Sequence, residues 1–149
     1  MVPDRPPRLS TELSIWGSTL DVDLLLKRGE PVAVCDVWRL GDPNEVPVGE
    51  GRNLTSGLTM NVYSGWSDAE LNLAVLHCLR REVRLFGAAR ALASSIEHND
   101  LTTSIRLDAN ESYPVGVAIP PETLDLLAQA GVSWEVSVWL ESMFKAKRG

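Results

Sequence analysis

The sequence predicts an α+β domain with a ferredoxin-like sheet, mixed or antiparallel, whose helices lie on one face. Two observations favour this fold. The pattern apolar-Asp-Leu-Leu-x-x-x-Gly occurs at 22–29 and again at 124–131, each time between apolar runs typical of strands. Between the two copies, a strand, a long helical stripe and another strand complete the order βαββαβ. Helices that connect strands by right-handed crossovers lie on the same face of the sheet.

Hydrophobic periodicity and turn residues predict each element. Alternating polar and apolar residues predict strands, whereas apolar residues at every third or fourth position predict helices. In chain order we expect a flexible tail at 1–10, a strand at 12–16, a helix at 20–28, strands at 32–38 and 58–63, a helical region at 68–95 broken near Arg81 or Gly87, strands at 101–107 and 115–119, a helix at 121–130, a strand at 134–140 and a frayed basic tail at 143–149. One domain therefore spans 11–142, with a strand-helix-strand unit appended to the ferredoxin-like part.

Capping residues set the expected ends of the helices. Ser18 or Thr19 can accept a hydrogen bond from a free amide at the start of the first helix. The segment Ser67–Glu70 has the sequence of a capping box at the start of the long helical region. Gly29 and Gly131 are predicted to end the two short helices in the left-handed conformation.

Composition limits the classes of function. A net charge of −6 disfavours a nucleic-acid or anionic-membrane surface and suits a basic protein partner. The only two cysteines, Cys35 and Cys78, lie in apolar surroundings, and we expect reduced core thiols. The start of the chain has no apolar stretch typical of a signal peptide, and no apolar run approaches a membrane span. These features predict a cytoplasmic protein.

Chemistry-bearing residues do not form a recognisable catalytic or metal-binding motif. His77 and Cys78 are adjacent in a helix, so their side chains diverge by about 100° and cannot share a metal. His98 is expected in a turn, and neither CxxC nor HxxxH spacing occurs. We therefore expect no cofactor, no metal and no enzymatic activity. A small enzyme would need His77, His98 or Cys35 to line a cleft.

The predicted binding surface is the sheet face opposite the helices. Strand alternation places three tryptophans on this otherwise polar face, and tryptophan is a common anchor in protein interfaces. A flexible acidic loop at 41–57 could meet a basic partner, or it could fold over the tryptophans and cover them. The residues expected to bind a partner are Trp16, Trp38, Trp139, Tyr63, Asp42, Glu45 and Glu50.

The chain resembles a bacterial family of small single-domain proteins of unknown function. The resemblance rests on the opening strand 12–16, the Leu20-Asp21-x-x-x-Leu25 helix, the strand before Ser67, the long helix, and the segment Pro-Glu-Thr-Leu-Asp-Leu-Leu-Ala-Gln-Ala-Gly-Val at 121–132. Proteins of this size and organisation are similar to the immunity proteins of bacterial polymorphic toxins. The resemblance implies no particular functional residue.

Together these observations favour a non-catalytic protein-binding module. The resemblance implies an immunity protein that neutralises a basic toxin domain. The alternative is a small-molecule-binding or regulatory domain, because a ferredoxin-like sheet can also form a ligand pocket or pair edge to edge. Either function is compatible with a monomer or a homodimer.

Overall fold

A computed structural model describes residues 8–43, 51–107 and 117–140. The strands are β1 (Arg8–Gly17), β2 (Asp36–Trp38), β3 (Ser56–Gly65), β4 (His98–Leu107) and β5 (Ser133–Leu140). The helices are α1 (Val22–Gly29), α2 (Asp68–Arg81), α3 (Val83–Ala91) and α4 (Pro121–Ala130), with a short 3-10 turn at Ala93–Ser95. Within these residues, no helix is both long enough and apolar enough to cross a membrane.

The described strands form one mixed sheet in the order β2-β3-β1-β4-β5. Strand β3 lies between β1 and β2, and β1 lies between β3 and β4, so the first four strands are two interleaved βαβ units. Their pairs are all antiparallel, whereas β5 joins the sheet parallel to β4. The predicted α+β, ferredoxin-like fold is confirmed.

The hydrophobic core lies between one face of the sheet and the helices. Alternate residues of β1 supply its centre, and Leu13 and Ile15 are fully buried. Leu58 of β3 and Leu101 of β4 lie beside them in register, and Leu85 of α3 packs from the helical layer. The opposite residues of each strand are left on a face that we call the open face.

The strand predicted at 32–38 is correct only in its last three residues. The backbone amides of Val32 and Ala33 donate to the carboxylate of Glu82, at 2.7 and 3.1 Å. Because these amides already have an acceptor in the helical layer, they cannot join the sheet, and β2 begins at Asp36. Glu82 separates α2 from α3, which confirms the predicted break near Arg81.

The strand predicted at 115–119 was wrong where it can be compared. Residues 117–120 have no regular secondary structure, and 115–116 lie outside the described residues. Pro120 and Pro121 have no amide hydrogen to donate to a neighbouring strand, which disfavours strand pairing at this end of the segment. The appended unit therefore uses β4 as its first strand, and only α4 and β5 are added to the ferredoxin-like order.

Helix α1 begins and ends differently from the prediction. The side chain of Asp21, rather than Ser18 or Thr19, caps it by accepting from the amide of Leu24 at 3.1 Å. The amide of Ser18 instead donates to the carboxylate of Glu97.

Strand β1 begins at Arg8, inside the segment 1–10 that was expected to be a flexible tail. Residues 1–7 and the tail predicted at 143–149 lie outside the described residues.

Gly29 has a packing role instead of the predicted left-handed stop. It is the last residue of α1, and the left-handed residue is Glu30, with φ of 40° and ψ of 63°. A Cβ on Gly29 would lie 2.9 Å from the Cα of Leu85, so the absence of a side chain lets α1 approach α3. At the end of α4 the prediction is confirmed, because Gly131 has φ of 71°.

We expect G29A to destabilise the protein by about 1–3 kcal/mol, because the added methyl group meets backbone that must move. The matched change G87A, inside α3, adds a methyl group where no atom lies within 4 Å. That variant should be more stable than wild type by about 0.5–1 kcal/mol, since alanine favours the helix over glycine. Urea unfolding measures both. Equal effects of the two substitutions would contradict the close α1–α3 approach.

Candidate protein-binding face

The strand register arranges the open face in rows that run across the sheet. The first row, which we call the aromatic row, contains Trp38, Gly57, Trp16 and His98. The second row contains Asp36, Thr59, Ser14, Asp100 and Ser133. The third row contains Asn61, Glu12, Thr102 and Glu135. The row at the far end contains Arg8, Arg106 and Trp139.

The aromatic row is a packed but partly exposed surface. The rings of Trp16 and His98 stack with centroids 4.1 Å apart and an angle of 17° between their planes. Trp16 is partly exposed to solvent and His98 is exposed. The indole N–H of Trp38 donates to the hydroxyl of Thr55 at 2.9 Å, so this ring is fixed from the loop side. The predicted positions of Trp16 and Trp38 on the open face are thus found.

Gly57 allows the two tryptophans to approach each other. A Cβ on Gly57 would lie 2.4 Å from the Cβ of Trp16 and 2.7 Å from Cζ2 of Trp38. It would also lie 2.5 Å from the carbonyl oxygen of Ile15, which is backbone of the neighbouring strand. The missing side chain therefore makes room for the indole of Trp38 beside Trp16.

Carboxylates lie next to the aromatic row. Asp36 lies in the row beside the aromatic row and Glu12 in the row after that, both exposed. Asp100, in the same row as Asp36, contacts His98 with 3.4 Å between Oδ2 and Nδ1. Partial burial raises the pKa of Glu12 above its usual value, and the nearby charge of Asp36 raises this pKa further. The ionised form of Glu12 is therefore disfavoured where it stands, and a cation brought close to it would be stabilising.

We expect E12Q to be more stable than wild type at pH 7. A carboxyl whose pKa is raised on folding stabilises the fold while protonated, and this contribution is lost as the pH rises through the folded-state pKa. The gain should stay below about 1 kcal/mol because the side chain is exposed, and it should vanish well below the ordinary pKa of 4.5. Urea unfolding at several pH values measures it, with D125N on exposed α4 as the control. A less stable E12Q at pH 7 would refute this electrostatic account.

Trp139 lies on the open face as predicted, but far from the other two tryptophans. It pairs in register with Arg106 of β4, whereas Trp16 pairs with His98 at the other end of that strand. Eight residues separate the two positions, which corresponds to about 26 Å along a strand. The three tryptophans therefore belong to two ends of one face, an acidic aromatic end and an end with arginines.

The prediction that Tyr63 lies on the open face was wrong. The register between β1 and β3 shifts by one residue between Thr11 and Glu12 of β1. Tyr63 therefore pairs with Thr11, which is buried on the helical side. A bulge of one residue at Val62 moves the following side chain to the other face. The Tyr63 hydroxyl accepts from the amide of Ser67 at 3.1 Å and donates to Glu70 at 3.0 Å. It thus links the two residues of the capping box, whose Ser67 hydroxyl accepts from the Glu70 amide at 3.3 Å.

The acidic loop is only partly described. Asp42 is exposed in a turn in which its amide donates to the carbonyl of Arg39 and its carbonyl accepts from Asn53. Pro43 and Arg52 form an isolated bridge, which ties the two ends of the loop together. Glu45 and Glu50, also predicted to bind a partner, lie outside the described residues.

The cysteines and His77 contribute little to a reactive site. Burial raises the pKa of the Cys78 thiol to about 11, and partial burial also raises the pKa of Cys35. Both thiols are therefore protonated at neutral pH and are poor nucleophiles. His77 is exposed on α2. In the described ranges, no three His, Cys, Asp or Glu residues are grouped in a way that could hold a metal ion.

Sequence reasoning missed three residues that shape this face: His98, Glu12 and Gly57. His98 was expected in a turn, yet the alternation of Leu101 and Ile105, extended backwards, already places residue 98 on the open face. Glu12 shares the alternation that puts Trp16 on this face, but it was not among the residues expected to bind a partner. Gly57 had no sequence signal, since its role depends on the register between strands.

Comparisons with known proteins found no matching family model, no matching curated protein and no matching solved structure.

Proposed function

We propose that this chain is a non-catalytic protein-binding module that receives a basic segment of its partner on the acidic end of the open face. The observation that carries the proposal is the partly exposed Trp16–His98 stack, with Asp36 in the adjacent row of the open face and Glu12 in the row after that. Aromatic anchors next to unneutralised carboxylates suit an arginine or lysine side chain, which can lie over a ring while it pairs with a carboxylate.

Electrostatics supports the same kind of partner. The net charge of −6 accelerates the approach of a basic protein and slows that of an acidic one. A cation bound near Glu12 would offset the burial and the repulsion from Asp36 that together raise the pKa of this carboxyl. Binding should therefore release protons at a pH near the pKa of Glu12 and should weaken with salt.

The biological role we propose is that of a bacterial immunity protein that neutralises a basic toxin domain in the cytoplasm. Such a protein needs an exposed docking surface and a charge opposite to that of its target, and it needs no catalytic group of its own. The acidic end of the open face meets these requirements. The support is physical complementarity, together with the resemblance in organisation described above.

The test is a titration of this chain with the purified product of the gene adjacent to its own. We expect a dissociation constant below about 1 µM at low salt, which corresponds to more than about 8 kcal/mol. D36K, which reverses a charge on the open face, should weaken binding at least about tenfold. D125K makes the same charge change on α4 and should not. Binding weaker than micromolar, or equal loss in both variants, would reject the proposal.

A small-molecule-binding role is the second candidate. A cleft of about 300 Å³ lies between the ends of α3 and α4 and the start of β4, and Arg90, Glu97 and Asn99 contribute to its lining. The side-chain oxygen of Asn99 is buried and has no hydrogen-bond partner among the described residues. An N–H or O–H group of a ligand could supply that missing donor.

Native mass spectrometry distinguishes this second candidate. A small-molecule adduct on the chain purified from its host, lost in the cleft-filling variant A93W, would favour ligand binding. Absence of any adduct in the wild-type protein would reject it. The protein-binding proposal does not depend on this result, because the cleft lies on the helical side of the sheet.

A further inference from the structure

Among the described strands, β5 forms one edge of the sheet. No described strand lies beyond it, and it offers eight residues of backbone, whereas β2 at the other edge has only three. Natural proteins usually protect such an edge with proline, lysine or a short strand. The sequence of β5, Ser-Trp-Glu-Val-Ser-Val-Trp-Leu, contains neither residue and has a single charge, at Glu135.

Apolar side chains remain exposed beside this edge. Val136 and Val138 lie on the helical side of β5, in register with buried Thr103 and Ile105, yet they are 43% and 49% exposed. Helix α4 does not cover them. We call these two valines, together with the exposed Leu124 of α4, the β5 strip.

The orientation of α4 explains why the strip is uncovered. Glu122 forms an ion pair with Arg80 of α2, so the side of α4 that carries Glu122 faces α2. Leu124 lies two residues further on, which is about 200° around the helix. It therefore lies on the opposite flank, toward β5, and is 50% exposed. The strip is apolar throughout and offers nothing to the basic partner proposed for the open face.

We propose that a second copy of this chain covers the β5 strip, with the two β5 strands paired antiparallel about a two-fold axis at Ser137. This register places Val136 opposite Val138 of the second copy, twice, so both valines become buried. It also places Glu135 opposite Trp139 of the second copy. Because Trp139 is in register with Arg106, each Glu135 shares a row with an arginine of the other copy, and the two glutamates stay apart.

The ability of β5 to pair with itself favours a second copy of this chain over another partner. Antiparallel pairing of one strand with itself satisfies the open backbone groups of both copies in a single closed interface. In this arrangement the helices of both copies lie on the same side of a continuous sheet, so Leu124 of each copy approaches the shared axis. The two open faces then also lie on one side, but the dimer does not depend on what they bind.

Sedimentation velocity of the full chain tests the proposal. We expect wild type to sediment as a species of twice the 16.3 kDa chain mass. V138K should raise the dimer dissociation constant at least about 100-fold, because a charge would be buried against apolar side chains. L73K places the same charge at an exposed leucine of α2 and should remain dimeric. Circular dichroism and thermal melting confirm that both variants are folded.

Two results would overturn this pairing. One is a wild-type monomer at every concentration, which would mean that the strip stays open or is covered by another segment of the same chain. The other is a wild-type dimer that V138K leaves intact.

Disulfide trapping tests the register. Directly opposed residues of antiparallel strands have Cα atoms about 4.5–5.5 Å apart, which a disulfide can bridge. With oxidised glutathione, S137C should therefore form an intermolecular disulfide, identified by peptide mass spectrometry. In S133C the introduced thiols would lie about eight residues, or 26 Å, apart and should not crosslink to each other. Crosslinking of S133C in preference to S137C would contradict the Ser137-centred pairing.

Discussion

Replacing Glu82 with alanine is expected to destabilise the protein by about 2–5 kcal/mol, the largest loss anticipated for a single side chain here, because each of two backbone amides loses its acceptor. Glu82 is only 1% exposed, and its carboxylate pairs with Arg81 at 2.7 Å. It also accepts the backbone amides of Val32 and Ala33. Its removal would leave these two amides without their acceptor, whereas the guanidinium of Arg81, whose side chain is 38% exposed, could turn to water.

Urea unfolding measures this loss, with E122A as the control. Glu122 forms an ion pair with Arg80 in which both side chains are exposed, so its removal should cost less than about 1 kcal/mol. Similar losses in the two variants would contradict the anchoring role of Glu82. Because Glu82 fixes the chain that leads into β2, E82A should also increase the mobility of Trp38. The intrinsic tryptophan fluorescence should therefore change before global unfolding.

W16A is expected to weaken partner binding by at least 2 kcal/mol, or about 30-fold, as for a tryptophan at the centre of an interface. The substitution removes the ring that stacks on His98 and that lies in the same row as Trp38. Because this ring is partly exposed, we expect the fold to survive the change. Calorimetric titration with the adjacent gene's product measures the affinity.

W66A provides the matched control for W16A. Trp66 is 46% exposed and follows β3, outside the sheet, so the same loss of an indole should leave binding within about twofold. A variant W16A that binds as tightly as wild type would remove the aromatic row from the interface. The result for W139A then indicates whether the partner extends to the arginine end of the open face.

The fold could be predicted from the sequence because its local signals agree. The alternation in β1, β3, β4 and β5, the capping box at Ser67 and the stop at Gly131 all match the βαββαβ order with an added helix and strand. What failed depended on tertiary contacts. The shortened β2 results from Glu82, which is fifty residues away in sequence from Val32. Gly29 matches a helix stop locally, and only its contact with Leu85 shows its packing role.

The candidate site was predicted in part for the same reason. Period-two alternation was enough to place Trp16, Trp38 and Trp139 on one face. It could not reveal the bulge at Val62, which turns Tyr63 to the helical side, because a bulge depends on the pairing between two strands. Nor could it show that Trp139 lies at the far end of the face, since the sequence does not give the register between strands.

Hydroxyl-radical footprinting of the complex tests the central claim most directly, because it reports the solvent access of individual side chains. On addition of the adjacent gene's product, oxidation of Trp16, Trp38 and His98 should fall, while Trp66 and Leu73 should react as in the free protein. Unchanged oxidation of Trp16 and His98, with protection of the α2 surface around Leu73, would place the partner on the helical layer and contradict the account.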